Sequence, residues 1–170
     1  TEIATVGAPG GDMETLMRLL SGPAFDACKA LAASEFAPKA YAGKPQSIAI
    51  AAAQGARLGL DLFSSIQNIA VINGRPTLWG DAMLAVCQRH PHWRGMDVEW
   101  SASNGNGEDT VTVTVRRAEG VDVGRYVGRF SVKEARTAGV WEKSGPWSQY
   151  PRRMLEIRAR SFALRSAFAD

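Results

Sequence analysis

Apolar residues recur with two different spacings along the chain, and the change between them marks out its elements. Between Met13 and Ala33 the positions Leu16, Leu19, Leu20, Ala27, Cys28 and Leu31 keep helical spacing, interrupted by Gly22-Pro23, which predicts two short helices. Residues 1–12 are rich in Gly, Ala and Pro and read as a mobile arm. Phe36 to Lys44 reads as an extended segment with Lys39 and Lys44 on either side of Tyr41. Pro45 then opens a helix through Leu58, with Ile48, Ala51, Ala52, Gly55 and Leu58 on its buried side and Gly59 just past its end.

The period switches after that helix. Ser65 to Ile72 alternates as a strand, Asn73-Gly74 predicts a two-residue type I′ turn, and Arg75 to Trp79 returns as the second strand of a hairpin. Asp81 reads as the N-cap of a helix over Ala82 to Arg89, stopped by Pro91. Trp93 to Ser101 follows as a strand, Asn104 to Asp109 as a solvent loop, and Thr110 to Arg117 as a strand with Val111, Val113 and Val115 on its buried face. Arg125 to Val132 is a third antiparallel strand, and Lys133 to Ala138 a short helix ending at Gly139. The fold class is α+β, an antiparallel β-sheet with a β-hairpin packed on a long C-terminal helix.

That last helix begins at Pro151, with proline in the tolerated first turn, and meets no further Gly or Pro. Wound at about 100° per residue, it puts Leu155, Ala159 and Phe162 on one face and Ile157, Leu164 and Phe168 on the opposite one. Both faces therefore ask for burial, with Arg158 and Arg165 on one seam between them and Arg153 and Arg160 on the other. Such rows suit a regularly spaced anion, as in a phosphate backbone. The alternative is that each arginine pairs with a carboxylate elsewhere or extends to water, but Glu156 is the one carboxylate nearby.

Composition adds little until charge is mapped along the chain. The 170 residues are 45% hydrophobic and 22% charged, ordinary for a globular domain. The net charge is +3, yet residues 1–124 hold ten Lys/Arg against thirteen Asp/Glu (−3) and residues 125–170 hold ten against four (+6). That polarity predicts an anionic partner, nucleic acid or an acidic protein surface. No basic-then-apolar leader or long apolar run is present, and the chain, opening at Thr1 and stopping at Asp170, reads as a piece of a longer product. Cys28 and Cys87 read as small core residues of a reducing compartment.

Few residues suggest catalysis. His90-Pro-His92 is a helix stop without a cysteine or carboxylate at metal-site spacing. Asp97 and Glu99 share a strand face and could hold a divalent ion in a metal-dependent nuclease, which needs more convergent carboxylates. No G-x-x-x-x-G-K-[ST] run exists for ATP, Gly124 to Gly128 has the wrong context for a dinucleotide fingerprint, and no nucleophile elbow is present. The expected protein is not an enzyme and needs no cofactor or metal. A binding surface is easier to assemble: Lys133, Arg136 and Lys143 interleave with Trp141, Trp147 and Tyr150, as single-stranded nucleic acid requires. The two tryptophans equally fit as plugs at the end of a core.

Three stretches go beyond generic pattern. Leu58 to Val86, LGLDLFSSIQNIAVINGRPTLWGDAMLAV, resembles the signature block of the RecT family of phage recombinases, which are single-strand annealing proteins. Phe36 to Lys44 resembles the segment preceding that block, and Gly145 to Asp170 resembles the family's pW…P..M…R…R…FAD ending. The resemblance covers about Phe36 to Asp170, in order and spacing.

The resemblance implies the annealing-protein fold and ATP-independent annealing of complementary DNA strands in phage or prophage recombination. It also implies homo-oligomers, as rings or helical filaments, that hold single-stranded DNA and an annealed duplex intermediate in a basic groove. A 5′-to-3′ exonuclease and a host single-strand binding protein are the implied partners, in the cytoplasm of a bacterial host. Residues 1–35 would serve subunit association and 36–170 would form the annealing core. The DNA-binding candidates are Lys39, Lys44, Arg75, Lys133, Arg136, Trp141, Lys143, Trp147, Arg152, Arg153, Arg158, Arg160 and Arg165. The hairpin tip at Asn73-Gly74-Arg75 would either enter between bases or meet the next subunit, with DNA the favoured choice. A basic phage scaffold module is the remaining alternative.

Overall fold

In a computed structural model of the chain, the structure describes residues 14, 17–18, 20–72, 74–101 and 109–169. The chain divides into two compact units, Thr1–Trp79 and Gly80–Asp170.

The first unit contains helices α1 (Gly22–Ala32), α2 (Pro45–Arg57) and α3 (Leu62–Asn68) and the hairpin β1 (Ile69–Ile72) and β2 (Arg75–Leu78). Proline stands in the first turn of α1 and α2, where its missing N–H is no loss. Cys28, Tyr41, Ile48, Ala49, Ala51, Ile66 and Ile69 are buried together as the core. Two sequence expectations are corrected here. Phe36 to Lys44 is not extended but folds into successive turns, with the Tyr41 and Ala42 amides both donating to the Pro38 carbonyl. Those turns carry the Tyr41 ring into the core, where its hydroxyl donates to the Ile69 carbonyl at 2.7 Å.

The expected strand from Ser65 is helical up to Asn68. Asp61 caps α3, its carboxylate accepting from the Ser64 amide and hydroxyl at 2.8 Å each, which lowers its own pKa. A short capped turn outweighs alternation over four residues. Gly55 permits the close approach of α2 and α3, since a Cβ there would run into the Ser65 side chain. The hairpin forms as expected, Ile72 opposite Arg75 and Gly74 at φ 76°, while Asn73 and its turn type lie outside the described residues.

The second unit is a three-stranded antiparallel sheet in the order β3-β4-β5, with β3 (Trp93–Ser101), β4 (Thr110–Glu119) and β5 (Asp122–Ser131). Helix α4 (Ala82–Gln88) precedes it, and α5 (Val132–Thr137), α6 (Pro146–Gln149) and α7 (Pro151–Ala167) follow. The expected loop before Asp109 lies largely outside the described residues. Alternation puts Val111, Val113 and Val115 on one face, where they pack with Phe130, Leu155, Ala159, Ala163 and Leu164. The other face carries Thr112, Thr114, Arg125 and Arg129, which are half-buried or exposed. Ser131 and Glu134 form a capping box that turns β5 into α5.

The sheet and α7 approach each other closely at one place. A Cβ on Gly128 would collide with the Ala159 carbonyl and the Ala163 amide, so glycine on the strand and alanines on the helix let the two backbones meet.

Both cysteines are free and buried, and burial pushes their thiol pKa values up. Neither thiol should react with a disulfide reagent at pH 8 until urea unfolds the chain, and prompt reaction of native protein would contradict this packing.

Candidate nucleic-acid interface

The geometry of α7 decides which cations are available. Its buried residues are Leu155, Ala159, Arg160, Ala163, Leu164 and Ala167, a single arc over roughly half the circumference with the alanines at its centre. The helix is therefore not buried on two opposite faces, as the large apolar residues alone suggested. Leu155 and Leu164 are the two margins of one contact, and Phe162 is 43% exposed, its ring edge-on to Phe130 at 6.0 Å.

This arc separates the two arginine rows. Arg153 and Arg160 lie at its edge and share the carboxylate of Asp81, at 2.8 and 2.5 Å. The Arg160 side chain is only 8% exposed against 64% for Arg153, so Arg160 is a structural cation. The hydrogen bond from Arg160, reinforced by both positive charges, holds the Asp81 carboxyl below the usual carboxylate range. Asp81 stands at the N-cap of α4 but makes no side-chain cap hydrogen bond, because its oxygens face α7. The expected capping role is thus replaced by an ion pair spanning 79 residues of sequence.

Asp81→Ala leaves Arg160 unpaired, and we expect a loss of about 2 kcal/mol in urea unfolding at neutral pH. A depressed folded-state pKa means that the pair stabilises above the ordinary carboxylate pKa and loses its effect as pH falls through the folded value. The difference between wild type and variant should therefore shrink below about pH 4. Equal stability at pH 7 would show that the pair contributes nothing.

The other row has no such anchor. Arg158 and Arg165 are exposed on the side of α7 turned away from the sheet, and neither has an ion-pair partner among the described residues. At a rise of about 1.5 Å per residue they stand roughly 10 Å apart, one heptad along the axis. Arg152 is also exposed, its guanidinium 4.4 Å from the Trp100 ring centroid.

Before α7, Lys133, Arg136 and Lys143 are exposed and without carboxylate partners among the described residues. Trp141 and Trp147 are half-buried and pack against the core, Trp147 with its ring centroid 6.4 Å from that of Phe130. Trp141 also borders a cavity of about 510 Å³ with Arg136, Gly139, Glu142 and Lys143. Lys39, Lys44 and Arg75 are exposed residues of the first unit.

Several positions carry more than the sequence suggested. Asp81 organises the inner arginine row, Trp100 supports Arg152, and Arg117 donates to the Ala167 carbonyl at 2.5 Å and lies over the Phe168 ring, closing the C-terminal end of α7. The long spacing between these partners hides them from any local pattern. The His90 and His92 rings meet edge to face at 5.1 Å, and His90 meets Phe168 in the same way. Asp97 is paired with Arg116. Among the described residues no group of three or more His, Cys, Asp or Glu could hold a metal ion, and no helix is long and apolar enough to cross a membrane.

No family model, curated protein or solved structure matches this chain.

Proposed function

We propose that this chain is a RecT-type annealing protein, binding single-stranded DNA and pairing it with a complementary strand without nucleotide hydrolysis. The observation that carries the proposal is the outer face of α7, where Arg158 and Arg165 stand exposed and without an ion-pair partner among the described residues. The three stretches that resemble the family, in order and spacing, support it. Guanidinium groups held on sugar-phosphate leave base edges free, so pairing supplies sequence recognition while the protein supplies charge. Each paired step contributes about 1.4 kcal/mol of stacking, enough to drive the exchange without ATP. The sheet and C-terminal helix belong on this reading to the annealing-protein fold, assembled as rings or filaments on the strand. An exonuclease exposing that strand and a host single-strand binding protein are the partners it requires.

The test is the salt dependence of oligonucleotide binding. Lys133, Arg136, Lys143, Arg152, Arg158 and Arg165 are the exposed cations of the second unit's candidates that lack an ion-pair partner among the described residues. If all six meet phosphates, log affinity should fall against log salt with a slope of about −4. Light scattering should show assembly growing on addition of DNA. Salt-independent binding, or assembly indifferent to DNA, would favour a protein scaffold instead.

A further inference from the structure

The inner side of α7 carries a feature that a phosphate track does not need. Asp81, Trp100, Arg152, Arg153, Glu156 and Arg160 line a cleft of about 290 Å³, at the small end of ligand pockets. Two of these side chains are acidic, which opposes a run of phosphates. Asp81 is committed to Arg153 and Arg160, but Glu156 is half-buried and makes no hydrogen bond or ion pair among the described residues. Arg152 is held over the Trp100 indole, and a guanidinium plane supported in this way is a preformed surface for stacking. Arg153, 64% exposed, meets Asp81 through one guanidinium nitrogen and has further N–H donors to offer.

We infer that this cleft is a single-nucleotide site selective for bases bearing an exocyclic amino group. The base stacks on the Arg152–Trp100 pair, its amino group donates to the Glu156 carboxylate, and its phosphate meets Arg153. Cytosine, adenine and guanine offer such a donor, and a carboxylate accepting from the cytosine amino group is an established pairing. Thymine presents carbonyl oxygens on both sides of its one ring N–H, and these repel a carboxylate. The site rests on the nucleic-acid reading only in the choice of a nucleotide as its ligand.

The experiment is an NMR titration of the whole chain with dCMP and with dTMP, following the Trp100 indole N–H signal, assigned through Trp100→Phe. One added hydrogen bond of about 1 kcal/mol predicts roughly fivefold tighter binding of dCMP. Glu156→Gln, whose amide accepts and donates, should bring the two nucleotides level, and Arg152→Ala should weaken both. Equal affinities in the wild type, or no response to either nucleotide, overturn the site. A dCMP response in a chain whose strand binding ignores salt would uphold the site and overturn the annealing reading, and the reverse pair of results would do the opposite.

Discussion

Arg158→Ala combined with Arg165→Ala should abolish annealing while leaving the fold intact. Both side chains are exposed and have no ion-pair partner among the described residues, so the change in unfolding free energy should stay within about 0.5 kcal/mol and the circular dichroism spectrum should not move. Each phosphate contact on a single strand contributes about 0.7 to the salt slope, so losing two lowers it by about 1.4 and weakens binding on the order of 25-fold at 0.1 M salt. Lysine at both positions keeps the charge and should keep most of the slope. Arg153→Ala with Arg160→Ala gives the opposite pattern, because it removes the partners of Asp81 and a buried stem. That variant should lose stability while lowering the salt slope by no more than about 0.7, the share of the one phosphate contact that Arg153 can make. If the two double variants behave alike, the division of the helix into an outer binding row and an inner structural row is wrong.

Gly128→Val should be the most damaging single change in the second unit. The new Cβ would occupy the space of the Ala159 carbonyl, and backbone, unlike a long side chain, has no other rotamer to take. α7 would have to lift from the sheet, uncovering Val113, Leu155 and Leu164, all at most 1% exposed in the native chain. Overpacking of this kind costs about 1–3 kcal/mol, and separation of the layers adds lost burial, so we expect at least about 3 kcal/mol. Urea unfolding followed by tryptophan fluorescence measures it. A shift below about 0.5 kcal/mol would mean that the strand and helix are not in contact there.

The contrast between these two substitutions shows what the residue pattern conveys and what it conceals. Strict Thr/Val alternation marks β4 and its buried face, and Pro151 marks the start of α7, because both signals are local. The burial of α7 is harder to see. Large residues at opposite azimuths suggest two buried faces, whereas the contact is centred on Ala159, Ala163 and Ala167, whose small side chains weigh little in any hydrophobic pattern. Gly128 is concealed for the same reason: it stands in a strand, and the helix that makes it necessary lies some thirty residues further on. The four arginines look alike as two seams, and only Asp81, far upstream and resembling an ordinary cap, makes one seam internal. Ser65 to Asn68 alternates like a strand but is drawn into α3 by the Asp61 cap.

The central claim is that the outer row of α7 grips the sugar-phosphate chain and leaves the bases free to pair. It is tested most directly by binding a dye-labelled strand to the protein, adding its quencher-labelled complement in the absence of nucleotide, and timing the quench. Pairing should be faster on the protein than in free solution, and should return to the free rate with Arg158→Ala/Arg165→Ala. A bound strand that pairs more slowly than a free one, as it would if its bases were buried, would contradict the account.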